Sequence, residues 1–463
     1  MMELWRLFLF ILLTFLASCT STGSNQINST KASTVLIFNM ADMHSGYDAY
    51  PILLANIDQR IQQAANTKNI FVINGDFFEA ASVVAQKSQG KLDMAFLAAL
   101  KKRGEVVFNI GNHDFDILPM NNFITQANML GVRVIGTFAS SELSVALPAY
   151  TDIPFGQQYI RFIGVDTDNS RTFPAAMRAN LAIPVPQDWL VQHYAELAKG
   201  ADYTVLLSHA GLMADKAMLE FLASQYTKPL YILGAHDHLS LQTTLNGMPY
   251  LHTSFKGQRL VVVSLHAGLN ASQLSIENII THFNQAGKHT FADEIATTRA
   301  QVLGPEDLAI VGTVPRDMTL IQAVDWTLQL MRDKTGADVA LFNHSSFGSG
   351  LQQGPLAHYR FNQFMRFENK LMASTVDGLT LKAILEHANQ HQQTDITKLT
   401  GDFVYANEIA IQDEQYYTIV TSDWVTLADN QVNYLGMSLN FDEVDGLTIK
   451  TLLKAALSKN QSR

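Results

Sequence analysis

Five short runs in this chain are apolar almost from end to end, and each stops at a cluster of polar residues. They are Thr34–Met40, Asn69–Asn74, Glu105–Ile110, Tyr203–Leu207 and Leu230–Leu233. A strand with one wet face alternates apolar and polar residues. These runs do not alternate, so both of their faces must be covered. Helical patterns such as Tyr50–Ala65 and Leu92–Arg103 fall between them. Alternating strands and helices predict an α/β fold in layers. Tyr159–Val165 and Leu260–Leu265 are further strand-like runs that can complete the sheets. In such sheets, ligands bind where loops leave the carboxyl ends of strands, and all five polar clusters sit there.

The clusters are Asp42-Met43-His44, Gly75-Asp76, Gly111-Asn112-His113-Asp114, Ser208-His209 and His236-Asp237-His238. At a strand end, residues i and i+2 project to one side. Asp42 with His44, and His236 with His238, are therefore expected to face a common ion. Gly75 permits a sharp turn that leaves the Asp76 carboxylate free to bridge two cations. Asn112 adds a neutral oxygen and His209 another imidazole. Nitrogen and oxygen donors without thiolate suit two divalent ions such as Mn, Zn, Fe, Co or Ni, not a structural thiolate zinc. A lone Asp-x-His is common by chance; the ordered conjunction at five strand ends carries the inference. His252, His266, His282, His289 and His391 lack such a pattern and are read as structural or solvated. Asp166 and Asp168 are read as loop carboxylates.

The chain has 463 residues, of which 47% are hydrophobic, so it can bury more than one core. Its net charge of −10 disfavours nucleic-acid polymers but not a small phosphorylated ligand bound through cations. Residues 1–18 read as a lipoprotein signal peptide. Arg6 precedes the apolar run Leu7–Leu16, and Leu16-Ala17-Ser18-Cys19 reads as a lipobox. Cys19, the only cysteine, is the expected lipidation site, and the membrane is engaged through that lipid alone. Thr20 after it favours an outer-membrane, periplasm-facing location. Residues 19–33 read as a flexible tether. A first domain is expected over 34–285, a polar linker over 286–300 and a smaller mixed α/β domain over 301–463. In that second region Thr319–Lys334 and Leu379–Ala388 look helical, and Asp338–Asn343 and Gln415–Thr421 look like strands.

Taken in order, the five clusters resemble the calcineurin-like metallophosphoesterases, and the whole chain resembles the bacterial 5′-nucleotidase family of two-domain hydrolases. The resemblance implies a four-layer α/β/β/α sandwich with a second, smaller mixed α/β domain. It implies one metal held by Asp42, His44, Asp76 and His238, and another held by Asp76, Asn112, His209 and His236. It implies catalytic roles for His113, which stabilises charge on the phosphoryl or leaving group, and for Asp116, which orients that imidazole. Aspartate replaces the family's glutamate at Asp114, a non-ligand position.

The resemblance extends to the second region through Thr335–Asn343, Gly354-Pro355-Leu356, Arg366-Phe367-Glu368-Asn369 and Leu379–Ala388. It implies that this domain chooses the substrate, expected to be a nucleotide, with arginines on the phosphate and two rings around the base. Phe367 matches the first ring and Tyr434 the second. The family's Asn-x-Gly-Gly-Ile-Arg reads here Asn343-His344-Ser345-Ser346-Phe347-Gly348, so glycine stands where the arginine is expected. Asn343 keeps its place, Arg316 is the arginine near the family's other phosphate ligands, and His344 can add charge when protonated. Two alternatives follow from the departure. One is a hydrolase of another anionic ester, like the sulfur-oxidation thiosulfohydrolases. The other is a non-catalytic surface lipoprotein that retains the fold.

Overall fold

A computed structural model describes residues 34–459, apart from 65, 267–273, 281–288, 389, 391, 392 and 394. The expected signal peptide, Cys19, the tether, His282 and His391 lie outside the described residues. No helix among the described residues is long and apolar enough to cross a membrane.

Two six-stranded sheets form the first half. In the first, the strands Thr34–Ala41, Thr67–Asn74, Glu105–Asn109 and Arg133–Ile135 run parallel and in sequence order. Arg259–His266 and Ser275–Ile280 extend it antiparallel on the far side. In the second, Tyr203–His209 lies at the centre, parallel to Gln158–Asp166 and Ile232–Gly234. The seven runs expected as strands in this half are strands, with ends shifted by one to two residues.

The continuous apolar runs are explained by where alternate residues go. Val35 and Ile37 enter the core between the sheets with Val72, Val107, Phe162, Val205 and Leu207. Leu36 and Phe38 point the other way, into a core under the helices Tyr50–Gln63 and Lys91–Lys101. Residues of the second sheet do the same toward Pro186–Ala198 and Leu212–Ala223. The result is helix, sheet, sheet, helix, the layering implied by the resemblance.

The second half carries a five-stranded sheet in the order Val404–Ala406, Val339–Asn343, Tyr416–Ser422, Lys370–Asp377, Asp442–Thr448. Helices Leu320–Thr335 and Gly378–Ala388 cover it. The segment read as a polar linker is different from that expectation. Phe291–Val302 is a helix, and Phe291 and Ile295 are buried in the first half's core. Its hydrophobic stripe of Phe291, Ile295 and Val302 is too sparse to stand out among Asp293, Glu294 and the threonines.

Because the inter-sheet core holds both sheets in register, Phe162→Ala is expected to cost about 3–5 kcal/mol in urea unfolding. Glu220→Ala, on an exposed helix face, is expected to change stability by less than about 0.5 kcal/mol.

Candidate metal centre

The carboxyl ends of both sheets' parallel strands meet at one place. Asn74, at the end of the second strand, ties them together. Its side-chain nitrogen donates to the carbonyls of Ser208 and Leu233 in the other sheet, at 3.0 and 2.8 Å. Its own carbonyl is 2.9 Å from His209 Nδ1, which turns Nε2 of that ring toward Asp76. Gly75 must be glycine twice over: its φ is +74°, and a Cβ there would collide with the His209 ring.

Two groups of potential ligands result. Donor atoms of Asp42, His44, Asp76 and His238 all lie within 4.8 Å of one another, as do those of Asp76, His209 and His236. Asp76 belongs to both. Asn112 Oδ1 lies 2.9 Å from His236 Nδ1 and so stands beside the second group. His44 and His238 aim their Nε2 atoms at each other across 2.9 Å. His209 Nε2 is buried without a hydrogen bond and sits 3.2 Å from Asp76 Oδ1. These are donors converging on common points, the arrangement a pair of cations fits.

The geometry that brings them there is not the expected i, i+2 strand projection. Asp42, His44, Asp76, His236 and His238 have φ of 50°, 42°, 51°, 79° and 57°. All five backbones are left-handed, a conformation that costs non-glycine residues about 1–3 kcal/mol each. Backbone bonds hold them: Asp42 N–H to the Gly75 carbonyl at 3.1 Å, and His44 N–H to that of Asp76 at 2.9 Å. His236 N–H donates to Asp42 Oδ1 at 3.0 Å.

Electrostatics follow from burial. Burial pushes the Asp42 carboxyl up to about 8, with Asp76 adding to it and His209 opposing. Burial brings His236 down to about 3 and holds His44 and His238 well below the usual imidazole range, keeping their lone pairs available. Burial also pulls His209 down, but the Asp76 carboxylate more than offsets it, leaving about 10.

His113 stands beside both groups. Its N–H donates to Asp76 Oδ1 at 2.9 Å, and its Nδ1 lies 2.7 Å from Asp116 Oδ2. Burial lowers its pKa, but Asp76 and Asp116 outweigh that and lift it to about 9. Asp114 accepts the backbone N–H groups of Gly111 and Phe77, each at 2.6 Å. Asp166 likewise accepts from Thr137 and Phe138 N–H. His252 faces the Tyr250 hydroxyl at 2.6 Å, the structural role expected of it.

The second half meets this centre directly. The rings of His344 and His238 are 6.1 Å apart. His344 is buried and its pKa is lowered to about 4, so it is neutral and does not supply the charge considered for it. Its Nδ1 bonds the Phe403 carbonyl at 3.0 Å. Asn343 is consumed internally by Ser345, Ser346 and Ser422. Phe367 is 38% exposed, with the Arg366 guanidinium 5.0 Å from its ring centre. Tyr434 is buried, and burial with the Asp402 carboxylate raises its phenol well above the usual range. Arg316 is exposed in the turn before helix Leu320–Thr335. Among the described residues, no hydrogen bond or ion pair links it to the centre.

Three charged residues there escaped the sequence reading. Glu79 Oε2 lies 3.7 Å from His44 Nδ1, and Arg366 Nε lies 2.6 Å from that same oxygen. Lys256 is half-buried nearby, its backbone N–H bonded to the Asp42 carbonyl at 2.7 Å. Arg366 sits within a stretch already singled out, but Glu79 does not, and nothing in their spacing links them. Lys256 follows no recognisable signal. A cavity of about 530 Å³ lined by Lys101, Glu105 and Arg133 opens elsewhere and includes none of these residues.

Asp76 belongs to both groups, so Asp76→Ala is expected to abolish stoichiometric metal retention. Metal analysis should find about two ions per chain in the unmodified protein and fewer than one in the variant. Retention of both ions by Asp76→Ala would rule out the shared-ligand arrangement.

Comparison with known proteins agrees with this geometry. Residues 36–240 match the calcineurin-like phosphoesterase family, and residues 316–436 match the 5′-nucleotidase C-terminal domain. The chain is 20% identical over 399 residues to an uncharacterized metallophosphoesterase, YunD, of Bacillus subtilis, covering 80% of this chain and 83% of that one. The 5′-nucleotidase precursor of Thermus thermophilus shares the fold with a TM-score of 0.60 at 17% identity, over 92% of this chain and 96% of that one. The sulfate thiohydrolase SoxB of Thermus thermophilus does so with a TM-score of 0.58 at 14% identity, over 89% and 80%. With its two sheets, its paired ligand groups and both matches in order, the chain belongs to the calcineurin-like phosphoesterases that carry a 5′-nucleotidase C-terminal domain.

Proposed function

We propose that this protein is a two-metal phosphomonoester hydrolase whose substrate is a nucleotide. The observation that carries the chemistry is the pair of ligand groups sharing Asp76, with the His113–Asp116 pair against them. The phosphoesterase and 5′-nucleotidase C-terminal matches support the substrate class.

Asp42, His44, Asp76 and His238 would hold one ion, and Asp76, Asn112, His209 and His236 the other. Divalent ions there would polarise the phosphoryl oxygens and lower the pKa of a water. Asp76 fixes the His113 backbone through its N–H, and Asp116 fixes the ring through Nδ1. That leaves His113 Nε2 to donate to the phosphoryl or leaving oxygen. Water attacks phosphorus in line, the P–O bond to the alcohol breaks, and the alcohol leaves protonated. No serine or cysteine nucleophile is required. Phe367, half-exposed beside the centre, is the ring offered to a nucleobase. Tyr434 is buried and is not offered as the second ring.

The proposal includes attachment to a membrane through a lipid on Cys19, on the periplasmic side of an outer membrane. The lipobox sequence supports it. Metabolic labelling with radioactive palmitate should mark the intact chain and leave Cys19→Ser unmarked.

A second reading, hydrolysis of another anionic ester, is favoured by Gly348 at the expected arginine position and by the fold shared with a sulfate thiohydrolase. A panel of nucleoside monophosphates, sugar phosphates and sulfur esters, assayed with Mn or Zn, separates the two. Asp116→Asn should lower kcat on an aryl phosphate by about 10²–10⁴-fold with both ions retained. Phe367→Ala should raise KM for nucleoside monophosphates by about 5–100-fold while leaving an aryl-free sugar phosphate unaffected. Turnover of sulfur esters alone would overturn the nucleotide reading.

A further inference from the structure

The space that an arginine at position 348 would occupy is already filled. A Cβ at Gly348 would lie 2.5 Å from Lys256 Nζ and 3.3 Å from Arg366 Cγ, and would run into the Gln363 carbonyl oxygen. Glycine at 348 is therefore what lets a lysine from the first half reach this spot. We propose that Lys256 and Arg366 together form the oxyanion cradle of this site, binding the non-bridging oxygens of a tetrahedral phosphoryl group.

The charge balance supports this. Glu79 pairs with Arg366 at 2.6 Å, and its field also reaches Lys256. Asp48 is the other carboxylate whose field reaches Lys256, and it is taken by Arg299 at 2.7 Å and Arg360 at 3.7 Å. Two cations thus share essentially one carboxylate, leaving a net positive charge in a buried place. Arg366 is 5% exposed; Nη1 donates to the Ser345 carbonyl at 2.9 Å, while Nη2 is buried without a hydrogen bond. A buried guanidinium donor with no acceptor is costly unless an anion arrives to take it.

Position fits the same role. The positive charge of Arg366 reaches both His44 and His238, and that of Lys256 reaches His44, so the cations border the first ligand group. Phe255, next to Lys256, stacks on His238 at 4.9 Å between ring centres. Lys256 is itself left-handed, with φ of 51°, and a Cβ on Gly46 would meet its carbonyl at 2.9 Å. The backbone that presents the ammonium is thus held as tightly as the ligands are. Arg366 offers a fixed guanidinium donor through Nη2, and Lys256 offers the point charge of an ammonium.

This inference rests on the phosphoester reading, so the test separates them. Inorganic phosphate is titrated calorimetrically into Mn-loaded full-length protein, and KM is measured for an aryl phosphate. Lys256→Gln should weaken phosphate binding and raise KM by about tenfold or more, with both ions retained. Lys256→Arg should stay within about threefold of the unmodified protein. Arg366→Lys, which keeps the charge against Glu79, should weaken binding by loss of the Nη2 donor. Phosphate affinity within about twofold of normal in Lys256→Gln would overturn the cradle, as would failure of the unmodified protein to bind phosphate. Phosphate binding that depends on Lys256 without hydrolysis of any phosphoester would sustain the cradle and defeat the enzymatic reading.

Discussion

The Asn74 side chain crosses from one sheet to the other, and the rest of the centre is referenced to it. Its amide nitrogen takes the Ser208 and Leu233 carbonyls, and its Oδ1 accepts from Asn109 at 2.9 Å. Asn109 in turn leans on the carbonyls of Val165 and Leu207. These two amides are fully buried beneath the ligands, where an unmade hydrogen bond costs about 1–3 kcal/mol. A slip of one sheet against the other would break several such bonds at once. Interdigitated side chains of the inter-sheet core resist a slide, and these directional bonds add to that resistance. They convert two hydrophobic layers into a frame in which Asp76, from one sheet, and His209, from the other, meet at 3.2 Å.

That rigidity is what allows five ligand backbones to remain left-handed. Each would relax in an isolated loop. Here Asp42, His44 and Ser45 are strapped to the Gly75, Asp76 and Phe77 carbonyls, so the two ligand loops hold each other. Asp114 closes the system by accepting from Gly111, Asp76 and Phe77 N–H groups. The short aspartate side chain thus receives one donor from its own turn and two from the loop after Asn74. Its function is to anchor backbone, which is why a change there leaves the ligand set undisturbed.

The sheets were legible because burial on both faces leaves a signature that needs no partner to read: unbroken apolar runs ending at polar clusters. Strands with weaker character, such as Ser240–Leu245 and Asp442–Thr448, were not. They sit at sheet edges, where alternate residues stay wet and apolar content falls. The candidate ligands Asp42, His44, Asp76, His209, His236 and His238 were visible for the same reason as the strands, since each ends or follows one. The left-handed turns were not visible, because aspartate and histidine adopt that conformation in only a minority of positions and the neighbouring loops select it here. Glu79, Lys256 and Arg366 come from three separated segments and are joined only in space. Arg316 shows the converse: an arginine in the expected stretch of sequence that the fold leaves exposed in a turn.

The two halves share their charged groups, and this bears on how a substrate is chosen. Arg366 belongs to the second half, yet its partner Glu79 lies on the loop after Asp76, and Glu79 faces the Nδ1 of His44. A carboxylate behind a ligating imidazole fixes its orientation and strengthens it as a donor. The guanidinium that draws on Glu79 therefore tempers a ligand in the other half. Lys216 reinforces the contact by donating to the Leu399 carbonyl at 2.6 Å. A Cβ at Gly401 would collide with Asp237, between the two histidines His236 and His238. The closeness at Gly401 and at Gly348 has one consequence. Both glycines remove side chains where the second half approaches the ligands, and what enters instead is an acid and an amine from the first half. The cradle proposed above thus draws one cation from each half, Lys256 and Arg366, and the arginine pattern of the second half alone does not describe it.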